Sequence, residues 1–189
     1  MAHDIRLSRR IRGRDVLLGE TSALLSFAQV GHAHTLVDWF RWALWTVSEV
    51  HRELVRNRGR FAAAERIIRH LEDGERIADL SPAGLTWVAR MAPYFRGRCD
   101  HGRVNVGELA TARLAAELIV AGRRPIVLVD DRLGADLCRR FGAPVLATHD
   151  VVVDMVRAHA LTRAEGARVW RGLKRSDQEY QRRITVRAS

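Results

Sequence analysis

The chain has 189 residues, 47% of them apolar, and 32 basic against 22 acidic side chains leave a net charge of +10. This length and apolar content predict a folded domain with a buried core and exclude a disordered chain. Charged residues interrupt every apolar stretch before the roughly 20 residues that a membrane helix needs. No long apolar region follows the arginines of residues 1–16, so no secretory signal is predicted and we expect a cytoplasmic protein.

The first half of the chain alternates apolar strands with helices. Two buried strands are predicted, at 15–19 (DVLLG) and 43–47 (ALWTV), and a short extended segment at 76–80 (RIADL). Thr21 or Ser22 is expected to cap the first helix, and Ser48 the helix after the second strand. Helices are predicted over residues 23–31, 33–42, 48–59, 60–74 and, beginning at the Ser81-Pro82 pair, 82–91.

The second half repeats the alternation. A long helix is predicted over 104–122, the clearest strand of the chain at 126–129 (IVLV), and another strand at 143–148 (APVLAT). Further helices are expected at 132–142, at 149–160 after a Thr148 cap, and at 162–174. Strands and helices in alternation predict a parallel sheet with helices on both faces. We expect an α/β domain over residues 15–175, between a basic arm (1–14) and a polar tail (176–189).

The basic residues are almost all arginine, since Lys174 is the only lysine. A strong positive charge favours contact with polyanions, of which nucleic acid is the commonest. A GC-rich genome would produce the same arginine bias, so charge alone does not decide. Cys99 and Cys138 have no metal-binding spacing, which leaves two reduced thiols or one disulfide.

Several carboxylates are predicted to lie where ligands gather in an open parallel sheet, at the carboxyl ends of its strands. They are Glu20 after the first strand, Asp130 and Asp131 after IVLV, Glu108 at the start of the long helix, and Glu49 and Glu53 one turn apart after the second strand. Carboxylates that meet repel each other, and a divalent cation relieves the repulsion. Oxygen ligands favour Mg²⁺ or Mn²⁺. Acids at a helix start also stabilise the helix dipole, so the spacing leaves both roles open.

Four motifs that contain five of these acids resemble, in their order, those of the PIN-domain family of small metal-dependent ribonucleases, which includes the VapC-type toxins of toxin–antitoxin pairs. In that family the first strand ends in Asp-Thr-Ser or Asp-Thr-Asn, and LLGETSALL matches it at Glu20. VSEVHREL matches the second acidic motif at Glu53, and VGELATARLA matches the third at Glu108. IVLVDDRLGADLCRRFGAPVLAT matches the fourth at Asp130 and Asp131. The resemblance covers residues 15–173 with the motifs in the family's order.

The resemblance implies a three-layer α/β/α fold and cleavage of single-stranded or structured RNA. It implies Mg²⁺ or Mn²⁺ held by Glu20, Glu108, Asp130 and Asp131, with Glu53 or Glu108 positioning or deprotonating the attacking water. Of the two aspartates, one is expected to ligate and the other to hydrogen-bond or face solvent. An antitoxin partner and a homodimer are implied as well, the latter through the apolar segment 36–45 (LVDWFRWALW).

The sequence departs from the family at its first acid, where glutamate replaces aspartate. One extra methylene moves the carboxylate by roughly one ångström or more, which a metal site tolerates only if the backbone retreats. Gly19 gives such room or is a plain turn residue. The alternative function is therefore a PIN fold that binds nucleic acid or a partner and has lost efficient catalysis. A nucleotide-binding α/β protein is a third reading, although no Walker-type glycine loop is present.

Overall fold

The computed structural model describes residues 15–41, 43–59, 61–96 and 106–173. The predicted arm (1–14), the predicted tail (176–189) and Cys99 lie outside the described residues. Within them the strands are β1 (Asp15–Gly19), β2 (Leu44–Val47), β3 (Ile77–Ala78), β4 (Arg124–Leu128) and β5 (Val145–Leu146). Each lies within or overlaps a predicted strand, so the sequence patterns identified all five.

Helices connect these strands. They are α1 (Thr21–Gln29), α2 (Ala33–Phe40), α3 (Ser48–Asn57), α4 (Ala64–Asp73), α5 (Pro82–Arg96), α6 (Val106–Val120), α7 (Arg132–Arg140), α8 (Thr148–Arg157) and α9 (163–173). The largest difference from prediction is α5, which passes the expected end at Met91 and contains Pro93. Proline removes one helical hydrogen bond, but α5 packs along α6, and tertiary packing overrides local propensity there.

The five strands form one parallel sheet in the order β3-β2-β1-β4-β5. Helices flank the sheet, which confirms the predicted α/β class and the three-layer α/β/α architecture. From β1 the chain adds β2 and β3 on one side and then β4 and β5 on the other. The strand order thus reverses between β1 and β4, and a crevice opens at the carboxyl ends of strands at such a point.

The core explains why the sequence is apolar where it is. Val16, Leu17 and Leu18 of the central strand are all buried, as expected for a strand covered on both faces. The apolar segment 36–45 contributes to this core. Trp45 of β2 is buried, and the half-buried Trp39 packs against the core. Homodimerisation through this segment stays a prediction. None of the described helices is long and apolar enough to cross a membrane.

Candidate functional site

The candidate site lies at the carboxyl ends of the neighbouring strands β1 and β4. The Glu20 backbone N–H donates to the Leu128 carbonyl over 3.1 Å, which holds the residue after β1 beside the end of β4. The buried Thr46 hydroxyl on β2 donates to the Gly19 carbonyl over 2.9 Å. Two neighbouring strands therefore fix the backbone at Gly19 and Glu20.

Gly19 is required by packing. A Cβ added there would lie 2.7 Å from Leu24 Cδ2, too close for any real contact. Leu24 is fully buried, so α1 begins pressed against the end of β1. The glycine is a close-approach position that brings α1, and with it the hydroxyls of Thr21 and Ser22, next to the Glu20 carboxylate.

The Glu20 side chain is 0% exposed. Its Oε2 accepts hydrogen bonds from the Ser22 backbone N–H (2.9 Å) and hydroxyl (2.5 Å). Its Oε1 is buried and has no hydrogen-bond partner among the residues that the structure describes. Burial raises the pKa of Glu20 to about 7, the bonds from Ser22 lower it in part, and the Glu53 charge raises it. Glu20 itself caps α1, so the predicted cap at Thr21 or Ser22 is wrong by one or two residues.

Glu53 on α3 is the acid whose charge raises the pKa of Glu20. Its Oε2 accepts a hydrogen bond from the Thr21 hydroxyl, which ties α3 to the start of α1. Gly107 of α6 lies against the same oxygen, since a Cβ added there would be 2.9 Å from Glu53 Oε2. The glycine of the Gly-Glu motif thus lets α6 approach α3 and brings Glu108 toward the other acids.

Glu108 and Asp131 both border a second glycine, Gly134 in α7. A Cβ added at Gly134 would lie 3.4 Å from Glu108 Cγ and 3.6 Å from Asp131 Oδ1. Asp131 caps α7 by accepting the Gly134 backbone N–H over 2.8 Å. The structure therefore brings the Glu108 side chain and the Asp131 carboxylate to the same glycine beyond the end of β4.

Asp130 is turned to the neighbouring helix. Its Oδ1 accepts the Thr148 backbone N–H (2.8 Å) and its Oδ2 the Thr148 hydroxyl (3.0 Å). Thr148, predicted as the α8 cap, is the first residue of that helix, and Ala147 occupies the cap position. Both oxygens of Asp130 are thus hydrogen-bonded within the protein, while Asp131 stands beside Glu108.

Glu49, the other acid of α3, points along its own helix. Its Oε1 pairs with Arg52 over 2.9 Å. Its Oε2 is buried without a hydrogen-bond partner in the described ranges. The other acid of this helix, Glu53, is the one that accepts from Thr21 of α1 and lies against Gly107 of α6.

Sequence reasoning missed Cys138 as a neighbour of the acids. Its free thiol is buried on α7. Burial, together with the charges of Glu20 and Glu108, raises the pKa of Cys138 to about 12. The thiol therefore stays protonated at neutral pH. A signal was present in the sequence, because Cys138 is one helical turn from Gly134 and shares its face.

The carboxylates fall into two adjoining groups. In the first group, Glu20 precedes α1, and Glu53 of α3 accepts a hydrogen bond from Thr21 at the start of α1. In the second group, the side chains of Glu108 on α6 and Asp131 border Gly134 near the start of α7. The charges of Glu20 and Glu108 both raise the pKa of Cys138. Among the described residues, no three histidine, cysteine, aspartate or glutamate side chains are placed so that they could hold a metal ion. Metal binding by Glu20, Glu108, Asp130 and Asp131 stays a prediction.

The donor chemistry fits a hard cation. All four predicted ligands are carboxylates, which suit Mg²⁺ or Mn²⁺, and Glu20 Oε1 is a buried oxygen without a hydrogen-bond donor in the described part of the chain. Comparison with known proteins adds no further assignment: no family model, no curated protein and no solved structure matches the chain.

Proposed function

We propose that the protein is a ribonuclease that uses Mg²⁺ or Mn²⁺ to hydrolyse RNA phosphodiester bonds, and that it is the toxin of a type II toxin–antitoxin pair. The observation that carries this proposal is the buried Glu20 carboxylate, whose Oε1 has no donor in the described residues although Glu53 lies close by. A protein gains nothing in stability from an uncompensated buried carboxylate. Such groups concentrate at functional sites.

The acids present have distinct roles in this proposal. Glu20, Glu108 and Asp131 would hold the ion, with Asp130 joining them if it leaves Thr148. The ion would neutralise charge on the phosphodiester and make water a better nucleophile. Glu53 would position or deprotonate the attacking water, and the Thr21 hydroxyl that it accepts would keep its carboxylate turned toward α1.

The wider proposal follows from charge and from the resemblance to PIN domains. The net charge of +10 favours association with a polyanion such as RNA. An antitoxin protein, a homodimer and a cytoplasmic location belong to the same proposal. A neighbouring small gene whose product suppresses the growth defect caused by the protein would support the toxin role.

Removal of divalent ions tests the enzymatic class. After treatment with EDTA, the protein is expected to leave single-stranded and structured RNA intact, and added Mg²⁺ or Mn²⁺ restores cleavage. The measurement is the rate of product formation on denaturing gels. Cleavage at the same rate in EDTA would contradict the proposal.

A second candidate function is a nucleic-acid-binding or interaction protein with weakened catalysis. The hydrogen bonds within the site favour it: Ser22 occupies Glu20 Oε2, and Thr148 occupies both oxygens of Asp130. Each of these bonds competes with a metal ion for the same carboxylate oxygen.

Replacing Glu20 by aspartate separates the two candidates. The shorter side chain is the residue of the family that the chain resembles, and it moves the carboxylate closer to the backbone by one methylene. If the native site is competent, Glu20→Asp changes the Mn²⁺-dependent cleavage rate by less than about tenfold, which is about 1.4 kcal/mol in the barrier. A gain well above tenfold favours the second candidate. Thermal unfolding of both proteins shows whether the variant remains folded.

A further inference from the structure

An exposed tryptophan lies at the same edge of the sheet as the acids. Trp170 of α9 is 40% exposed, and its ring meets the imidazole of His149 with the two ring centroids 4.4 Å apart. The residue before His149 is Thr148, which begins α8 and donates its backbone N–H and its hydroxyl to Asp130. The contact with His149 therefore places the indole ring at the carboxyl ends of the strands, where the candidate site lies.

Helix α9 turns one side to the protein and the other to solvent. Its buried residues recur at helical spacing and are Gly166, Val169 and Leu173. Gly166 allows close packing on α8, since a Cβ added there would lie 2.3 Å from Val156 Cγ2. The exposed residues that share one side of the helix are Arg163, Ala167, Trp170 and Arg171. These four residues are named the α9 face.

The α9 face carries positive charge only. Arg163 and Arg171 are its charged residues, and neither forms an ion pair within the described part of the chain. A second copy of the chain would bring the same two arginines to a contact with this face, and each chain has a net charge of +10. A polyanion is therefore the favoured occupant.

The acids nearest to this face in the sequence are bonded elsewhere. Glu165 lies about 200° round the helix axis from Arg163, and its Oε2 accepts the Thr162 backbone N–H (2.8 Å) and hydroxyl (2.7 Å). Asp150, which follows His149, accepts the Ala147 backbone N–H over 2.9 Å. Each of these carboxylates caps the start of its own helix, so neither offsets the charge of Arg163 or Arg171 by a direct contact.

His149 holds the indole of Trp170 in place. The planes of the two rings meet at 65°, the edge-to-face arrangement that aromatic pairs prefer. The ring is thus fixed by α8 while part of its surface stays open to solvent. A ring that is already fixed loses little conformational freedom when a flat ligand stacks on it.

We propose that Trp170 stacks on an unpaired base of RNA, and that Arg163 and Arg171 bind the phosphates on either side of that base. Every base has a π-face, so stacking on an indole tolerates any sequence, and arginines beside the ring attract the backbone. Inside a duplex the neighbouring pairs cover both faces of each base, which leaves only unpaired bases for this contact. The choice of RNA rests on the proposed ribonuclease function. The α9 face would hold a base next to the segment on which the acids act.

Binding of a fluorescently labelled oligouridylate to the full chain in EDTA, followed by fluorescence anisotropy, tests this proposal. The native protein is expected to bind saturably. Trp170→Ala is expected to weaken binding by about tenfold or more, because stacking of one base on an aromatic ring contributes about that factor. Trp170→Phe keeps a ring that can stack, so its affinity should stay within about threefold of the native affinity.

A long double-stranded RNA separates stacking from charge. Trp170→Ala should bind the duplex as the native protein does, since its bases are covered. Arg171→Gln should weaken binding of both RNAs, and with the oligouridylate it should reduce the slope of log affinity against log salt concentration by about 0.7, the value for one lost phosphate contact to a single strand. Trp170→Ala should leave that slope unchanged because it removes no charge.

Leu85→Ala and Arg66→Gln are the matched controls. Leu85 is 49% exposed on α5 and Arg66 is 57% exposed on α4, so each variant removes an apolar or a positive side chain from another helix. Both should bind the oligouridylate with native affinity. The proposal would be overturned by no saturable binding to the native protein, by native affinity in Trp170→Ala, by equal losses on both RNAs in that variant, or by no recovery in Trp170→Phe.

Arg171→Gln keeps the proposal testable even if Trp170→Ala does not fold, because Arg171 is exposed. A native salt slope in Arg171→Gln would overturn the phosphate contact. The measurement in EDTA also separates this subsite from catalysis. Binding that depends on Trp170 in a protein that cuts no RNA with Mn²⁺ would refute the ribonuclease and support the subsite. RNA cleavage by the native protein together with native affinity in Trp170→Ala would refute the subsite alone.

Discussion

Replacement of Glu108 by glutamine is expected to slow Mn²⁺-dependent RNA cleavage by about 100-fold or more, and Asp131→Asn by a similar factor. Loss of a metal ligand or of charge stabilisation at a phosphodiester transition state costs several kcal/mol, and about 2.7 kcal/mol corresponds to 100-fold. The side chains of Glu108 and Asp131 border the same glycine, Gly134, and each variant removes one negative charge there. Both amides keep the size of the native side chain. Asparagine also caps helices well, which preserves the start of α7.

Two surface variants control for the charge change. Glu72→Gln removes a carboxylate that is 48% exposed on α4, and Asp136→Asn removes one that is 51% exposed on α7, the helix that Asp131 caps. Initial cleavage rates of both controls should stay within about twofold of the native rate, since neither lies at the candidate site. Native rates in Glu108→Gln and Asp131→Asn as well would remove the catalytic assignment.

The protein without metal is expected to lose stability as the pH rises from about 4.5 to about 7, through Glu20. Its folded-state pKa is about 7 against an ordinary value of 4.5. In this window the folded protein holds a proton that the unfolded chain releases, so higher pH favours unfolding; above about 7 both forms are ionised and the effect levels off. A shift of this size corresponds to about 3 kcal/mol in the free energy of unfolding.

Glu20→Gln isolates this contribution, because glutamine has the shape of the protonated acid and does not titrate. Urea unfolding in EDTA at pH 5, 6, 7 and 8 should give a free-energy difference between variant and native protein that grows with pH in favour of the variant. Glu65→Gln, at an exposed ion pair, should change stability by less than about 0.5 kcal/mol throughout. A difference for Glu20→Gln that is the same at pH 5 and pH 8 would refute the assignment.

The sequence was sufficient to predict the fold class and the edge at which the acids lie. Short apolar strands such as DVLLG and IVLV alternate with helices, and chains with this alternation commonly fold into a parallel sheet covered by helices on both faces. In such a sheet the ends of neighbouring strands coincide. Glu20 and Asp131 follow two strands that proved to be neighbours, so their place at one edge of the sheet required only the strand order.

The partners of each carboxylate could not be predicted from the sequence. Thr21 and Ser22 are adjacent, yet the first donates to Glu53 and the second to Glu20. Which hydroxyl meets which acid depends on how closely α1, α3 and α6 approach each other, and that distance depends on long-range packing. Gly107 contributes by leaving room for the Glu53 carboxylate.

Three features required the complete structure. Glu20 is fully buried beside the place where Leu24 packs against Gly19, and Cys138 is brought toward Glu108 by the packing of α7 beside α6. The contact of Trp170 with His149 joins α9 and α8, which share no sequence motif. Local patterns carry no information about side chains that meet only through helix packing.

Binding of Mn²⁺ is the most direct test of the proposal that the acids at the ends of β1 and β4 form a divalent-metal centre. The free ion has a strong electron paramagnetic resonance signal that weakens when the ion binds, so a titration of the metal-free protein at pH 8 counts bound ions. We predict saturable loss of the signal in the native protein and in Glu72→Gln, and little loss in the Glu108→Gln, Asp131→Asn double variant. Equal loss in the native protein and the double variant, or no loss in either, would contradict this account of the site.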